Sequence, residues 1–326
     1  MRAWRTMVAV STTVTVFVAC GSSGPATQFD ADAGASELAQ SDASTSNPGP
    51  LSASDSSADA AACDPPDLLV VLDRTLSMSK TPAGMKVDDT DAGRATTKWA
   101  LAVDALDSLV APPRDSTVRF GLELFPENPQ ADGGSAECPT LPELLGGQNA
   151  TNPTCGAGQL VLPPTLASGP AIIASISQDT TPLCVSTPIG AAMQTAADAL
   201  AASKVGTRGQ YAILITDGGE TCSVDAVPIV QSLAAKGIET FVIGFGQDGD
   251  GGDKGVRVPL LNDLACAGMT ASGFATSCVS DTTDAGTGYV ASPSTTAPVF
   301  FAAQDGAALA SALGEISAQV CCNCPR

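Results

Sequence analysis

The chain has 326 residues, with 34 acidic against 15 basic side chains, a formal charge of −19 and no histidine. A surface this acidic repels nucleic-acid phosphates, which sets nucleic-acid binding aside. Without histidine there is no Ser-His-Asp or Cys-His catalysis, no histidine-ligated zinc or haem, and no histidine pH switch.

At the amino end, Arg2 and Arg5 precede an apolar stretch over 6–18 that is too short to span a bilayer comfortably, so residues 1–19 are expected to be a signal peptide. Its end, Phe17-Val18-Ala19-Cys20-Gly21, resembles the bacterial lipobox, in which the cysteine becomes the lipidated first residue. The other possibility is an ordinary cleavable signal with an incidental cysteine. Gly21 rather than an aspartate after Cys20 resembles outer-membrane sorting. The expectation is an exported, cell-envelope protein, an outer-membrane lipoprotein of a Gram-negative bacterium.

Residues 20–62 form the second expected region: Cys20, then an acidic Ser/Ala/Asp tether with Asp30, Asp32, Glu37, Asp42, Asp55 and Asp59 and no basic residue. Such a chain has too little apolar surface to fold, and at its length it would reach about 35 Å from a membrane.

From Cys63 to Arg326 the pattern alternates strands with helices. The run at 68–72 is apolar throughout, as a parallel strand buried on both faces should be. Helical spacing occupies 99–110. Over 118–125 the chain alternates, with Phe120, Leu122 and Leu124 on one side and Arg119, Gly121 and Glu123 on the other. Residues 126–170 are rich in Pro, Gly and Asn and hold Cys138 and Cys155, which predicts a disulfide-pinned insertion. A helix with proline in its first turn follows at 188–202. Then come a strand at 211–216, a helix at 226–236 closed by Gly237, a strand at 239–245, a helix at 259–267, a short strand at 298–302 and a helix at 307–320. Strand–helix alternation predicts an α/β fold: a doubly wound, mostly parallel sheet with helices on both faces.

With Cys20 set aside, ten cysteines remain: Cys63, Cys138, Cys155, Cys184, Cys222, Cys266, Cys278, Cys321, Cys322 and Cys324. An even number in an exported chain predicts disulfides, whose pairing the sequence leaves open. Because domain termini often lie together, a bridge from Cys63 to the Cys321–Cys322–Cys324 group is expected, with a zinc cluster as its rival.

Three segments carry oxygen ligands at element boundaries. Asp73-Arg74-Thr75-Leu76-Ser77-Met78 follows the first strand, Ser186-Thr187-Pro188 opens a helix, and Thr216-Asp217-Gly218-Gly219-Glu220 follows a later strand. Singly, each is an ordinary turn or cap. In this order they resemble the von Willebrand factor type A domain and its metal-ion-dependent adhesion site, with Leu76 where the family's first motif has glycine. The resemblance implies a Rossmann-like fold and a divalent cation, Mg²⁺ or else Mn²⁺ or Ca²⁺, held by Asp73, Thr75, Ser77, Thr187 and Asp217. It implies, further, that an acidic group of a protein partner completes the ion's shell. Hard oxygen donors with few carboxylates suit such an ion and leave it electrophilic.

Two further patterns compete. Ser77-Met78-Ser79-Lys80 matches the Ser-x-x-Lys motif of envelope acyl-enzymes, but follows a strand and lacks the Ser-Asp-Asn and Lys-Thr-Gly partners. The acidic stretches 88–93 and 248–253 are loosely spaced like calcium loops but lack the terminal glutamate, and read as solvated loops. The sequence therefore predicts a non-enzymatic adhesion or scaffold module, with a serine acyl-enzyme using Ser77 and Lys80 as the alternative.

Overall fold

The first strand, β1 (Asp67–Asp73), is buried at every residue and lies in the middle of a six-stranded sheet. The structure, a computed structural model, describes residues 64–128, 138–148, 155–249, 255–283 and 286–322. The expected signal peptide, Cys20, the tether, Cys63 and Cys324 lie outside these residues.

After β1 comes a 3-10 turn (Leu76–Ser79), then α1 (Asp91–Arg94) and α2 (Lys98–Val110). Strand β2 (Arg119–Phe125) is followed by α3 (Leu141–Leu145), β3 (Gln159–Thr165), α4 (Gly169–Ser175) and α5 (Ile189–Ser203). Then come β4 (Gln210–Thr216), α6 (Ala226–Ala235), β5 (Glu239–Phe245), and the two-residue strands β6 (Asp248–Gly249) and β7 (Val256–Arg257). The chain closes with α7 (Val258–Ala267), α8 (Phe274–Ser277), the hairpin β8 (Cys278–Thr283) and β9 (Gly286–Ala291), then β10 (Phe301–Ala303) and α9 (Gly306–Cys322).

The sheet order is β10-β5-β4-β1-β2-β3. All neighbours run parallel except β3, which pairs antiparallel with β2. On one face Leu68, Val70 and Leu72 of β1 pack with Trp99 and Leu106 of α2 and Leu313 and Ile316 of α9. On the other, Leu69 and Val71 pack with Met193 and Leu200 of α5, Val230 of α6 and Leu264 of α7. Covering both faces is what makes β1, β4 and β5 continuous apolar runs. The expected fold class, a doubly wound and mostly parallel sheet between helices, is therefore the observed one.

The stretch 126–170, expected only as an insertion, supplies the sheet's sixth strand: β3 carries Pro163 and Pro164 on the edge, where a missing N–H costs no ladder bond. The final strand sits at Phe301–Ala303 rather than 298–302, because pairing with β5 begins only at Phe301↔Ile243. Ahead of it Val299 and Phe300 are buried in the opposite core instead. Gly237 adopts a positive φ of 77°, and its N–H donates to Ala234 at 2.9 Å, closing α6 as expected. Three disulfides join described residues: Cys138–Cys184, Cys155–Cys222 and Cys266–Cys278.

Candidate metal centre

Asp73 ends β1 and Asp217 directly follows β4, neighbours in the sheet. Connections leave β1 and β4 in opposite directions along the sheet, so a crevice opens at the strands' carboxyl ends, where doubly wound folds bind ligands. Both aspartates are 0% exposed.

The turn after β1 folds its hydroxyls inward. The Thr75 N–H donates to Asp73 Oδ1 at 2.8 Å, and Thr216 Oγ1 donates to Asp73 Oδ2 at 2.7 Å. Ser77 Oγ donates to Asp217 Oδ1 at 2.8 Å and lies 2.6 Å from Thr75 Oγ1, which leaves the Thr75 hydroxyl as the donor in that pair. Leu76 starts a 3-10 turn after Thr75 and packs against the core beside buried Met78, so this turn needs no glycine there. Arg74 points away: its Nε donates to the Pro126 carbonyl at 2.8 Å and its guanidinium to Gln159 Oε1 at 3.0 Å. Burial lowers that guanidinium to about 10, against the pull of Glu127.

Thr187 is held at the rim of the same loops without a hydrogen bond to either aspartate. Its N–H donates to Thr221 Oγ1 at 2.6 Å and its carbonyl accepts the Thr221 N–H at 3.2 Å. The segment before it is zipped onto the first turn: the Cys184 N–H donates to the Arg74 carbonyl at 3.0 Å and the Leu76 N–H to the Cys184 carbonyl at 2.9 Å. Ser186, just ahead of Thr187, has a φ of 79°, a strained value of the kind found in ligand-holding loops. Two disulfides brace this assembly, Cys138–Cys184 behind the Thr187 segment and Cys155–Cys222 behind the Asp217 segment.

Burial first, and then the charge of Asp217, push the Asp73 carboxyl up from 3.8 to about 7, against the hydrogen bonds from Thr216 and Thr75. A buried carboxylate pair held this way is short of positive charge. Among the described residues no three Cys, Asp or Glu side chains converge as a metal-binding group. An ion here would therefore rest on two carboxylates and on hydroxyls, a hard-oxygen set that suits magnesium or manganese. The residues fit such an ion.

Sequence reasoning assigned no role to three participants, of which only Lys98 lay outside the three segments. Thr216 closes β4 and fixes Asp73. Glu220 accepts the Gly190 N–H at 2.8 Å with Oε2 and the Cys222 N–H at 2.6 Å with Oε1, tying the start of α5 to the Asp217 loop. Lys98, the first residue of α2, forms an ion pair through its Nζ with Asp217 Oδ2 and is 3% exposed. A lysine at a helix start reads as solvent-facing, so no sequence signal marked it. Of the competing motif, Ser77 Oγ is engaged with Thr75 and Asp217, and the Lys80 backbone N–H donates to the Ser77 carbonyl at 3.2 Å. In the acidic stretch 88–93, Arg94 pairs with Asp89 and Asp91. Most of 248–253 lies outside the described residues.

Among solved structures, proximal thread matrix protein 1 from the mussel byssus is 15% identical over 79% of this chain and 49% of its own, with a TM-score of 0.45. A form described as having a zinc occupied MIDAS motif is 14% identical, with the same coverage and a TM-score of 0.44. The manganese-loaded TRAP protein of Plasmodium vivax is 16% identical over 57% of this chain and 59% of its own, with a TM-score of 0.37. The chain thus spans between about half and three fifths of the length of these proteins. None of the curated proteins compared with the chain matches it. The model of the von Willebrand factor type A domain matches residues 167–277, a span that includes Thr187 and Asp217 and stops short of Asp73, Thr75 and Ser77.

Proposed function

We propose that the chain is a type A domain that binds a divalent cation with Asp73, Thr75, Ser77, Thr187 and Asp217 and, through it, an acidic group of a protein partner. The observation that carries this is the buried Asp73–Asp217 pair at the strands' carboxyl ends, joined through the Thr75–Ser77 hydroxyls and lacking full neutralisation. When bound, a divalent ion supplies an electrophilic centre to which a partner carboxylate can attach. The chain's own residues do the rest. Thr216 and the Thr75 amide fix Asp73, Ser77 fixes Asp217, and the two disulfides hold the loops that carry them. Mg²⁺ is the ion we favour, with Mn²⁺ or Ca²⁺ as substitutes.

Beside the hydroxyl turn lies a cavity of about 490 Å³ lined by Leu76, Ser79, Lys80, Lys86, Leu144 and Leu145, among others. Two lysines next to apolar side chains suit a partner segment that is acidic with an apolar neighbour. We place the protein in the cell envelope, exported by residues 1–19 and lipidated at Cys20, with the tether of 20–62 holding the domain off the membrane. Its role is adhesion or scaffolding, not catalysis.

Isothermal titration of Mg²⁺ or Mn²⁺ into wild type and Asp73→Ala tests the site. Binding is expected in wild type and a loss of at least about a hundredfold in the variant, since half the anionic ligand charge is gone. Equal heats from both proteins would discard the site. Covalent labelling of Ser77 by a β-lactam or fluorophosphonate probe would replace this role with acyl transfer.

A further inference from the structure

Lys98 is anchored by its backbone at the start of α2, where its N–H donates to the Lys80 carbonyl at 2.8 Å. Its side chain runs inward to Asp217, and both residues are shut off from solvent, at 3% and 0% exposure of their side chains. Asp217 Oδ1 is taken by Ser77, and Oδ2 accepts no hydrogen bond from a neutral group among the described residues, which leaves the ammonium as its partner. Gly246, whose φ of 138° favours glycine, lies alongside the lysine: a Cβ there would be in ordinary contact, 3.7 Å from Lys98 Cδ, 3.9 Å from Nζ and 3.4 Å from the Pro82 carbonyl. The positive charge paired with Asp217 therefore belongs to the chain itself.

We infer that Lys98 is the resident cation of the Asp73–Asp217 site and that a divalent ion enters by exchange, displacing the ammonium from Asp217. The inference rests on the site proposed above for what is exchanged, but the ion pair stands without it. An ammonium and a divalent ion on one carboxylate repel each other, so in a buried setting each weakens the other's hold on Asp217 and the stronger field of the divalent ion drives the ammonium off. The lysine then sets a threshold. In the absence of a divalent ion it neutralises half the charge and keeps the loops assembled. Once an ion takes Asp217, the ammonium is released towards the Pro82–Gly246 side of the site. No bond is made or broken in this exchange, and the charge of the protein is unchanged.

The test uses the full, oxidised chain and Mn²⁺ alone, with free Mn²⁺ followed by electron paramagnetic resonance in wild type, Lys98→Met and Asp73→Ala. Lys98→Met is expected to bind Mn²⁺ at least about tenfold more tightly than wild type, since no ammonium has to leave. In chelator its melting temperature is expected below that of wild type, with a larger rise on adding Mn²⁺. On wild type itself, acetic anhydride with mass-spectrometric readout is expected to label Lys98 more when Mn²⁺ is present, which requires no variant to fold. Equal or weaker Mn²⁺ binding by Lys98→Met, or Lys98 labelling unchanged while wild type binds Mn²⁺, would overturn the exchange and leave the proposed function standing. Binding by Lys98→Met with none by wild type would overturn both the exchange and the proposed ion binding of wild type, showing that the lysine has taken the ion's place outright. Absence of binding in both overturns the two together.

Discussion

Strand β1 begins and ends with a buried aspartate, and the two ends are handled in opposite ways. At the amino end, Asp67 meets Arg119 Nε at 3.0 Å and Arg208 at 3.5 Å, and accepts from Ser203 Oγ at 3.1 Å and Gln210 Nε2 at 3.3 Å. At the carboxyl end, Asp73 meets two hydroxyl-bearing residues and a second aspartate, and its carboxyl is pushed up to about 7. The residue type and the strand are the same, and both are 0% exposed. What differs is whether the fold supplies the countercharge. Where it does, the carboxylate is part of the scaffold. Where it leaves a shortfall, the carboxylate can answer to something arriving from outside.

This contrast predicts effects of different size and sign. The largest is expected from Asp67→Ala, which takes the buried carboxylate from two arginines, leaving, among the described residues, Arg208 only Asp64 and Arg119 only the Pro164 carbonyl, and should lower stability by about 3–5 kcal/mol. Mn²⁺ affinity, measured on the folded variant, should hardly change. A comparable loss of ion binding would erase the distinction between the ends. Asp73→Asn should act the other way in chelator, raising stability at pH 8 by roughly 1–3 kcal/mol while abolishing ion binding, since it removes a repelled buried charge. The pH profile sharpens this. Because the Asp73 carboxyl holds its proton more tightly in the folded chain than at its ordinary 3.8, metal-free stability should fall as pH rises from about 4 to about 7. Urea titrations across that range should show the fall in wild type and a flatter profile in Asp73→Asn, and parallel profiles would break the assignment. The smallest effects belong to the hydroxyls. Thr216→Val should cost about 1 kcal/mol at pH 8 and move the fall in stability to higher pH, whereas Ser203→Ala at the Asp67 end should cost about as much and move nothing.

The sequence showed the sheet's centre more plainly than its margins. β1, β4 and β5 are covered on both faces and so appear as unbroken apolar runs, and the aspartates at their ends stood out for the same reason. β3 was missed because Pro163 and Pro164 argue against a strand unless it is known to lie at an edge. The β8–β9 hairpin was missed because Ser280, Asp281, Thr282 and Gly288 look like loop residues when the surface they cover is unknown. Within the site, Asp73, Thr75, Ser77 and Asp217 come together as the family resemblance implied, while Thr187 is held to Thr221 rather than to the aspartates. Lys98 was invisible because its meaning lies in a partner 119 positions along the chain. Glu123 shows the same limit: it alternates as an outward residue should, yet it is buried with no hydrogen-bond partner among the described residues, and burial holds its carboxyl well above the usual range.

The prolines on β3 have a consequence for how the molecule meets others. A sheet border normally offers a ladder of free amides to any passing strand, and proteins that polymerise or capture peptides by strand addition use that offer. Here one border carries two residues without an N–H, and the other is only three residues long. Neither border of the described sheet can seed a longer one. Recognition is thereby steered off the sheet's flanks and onto its crest of loops, and copies of the domain crowded together are kept from zipping into fibres.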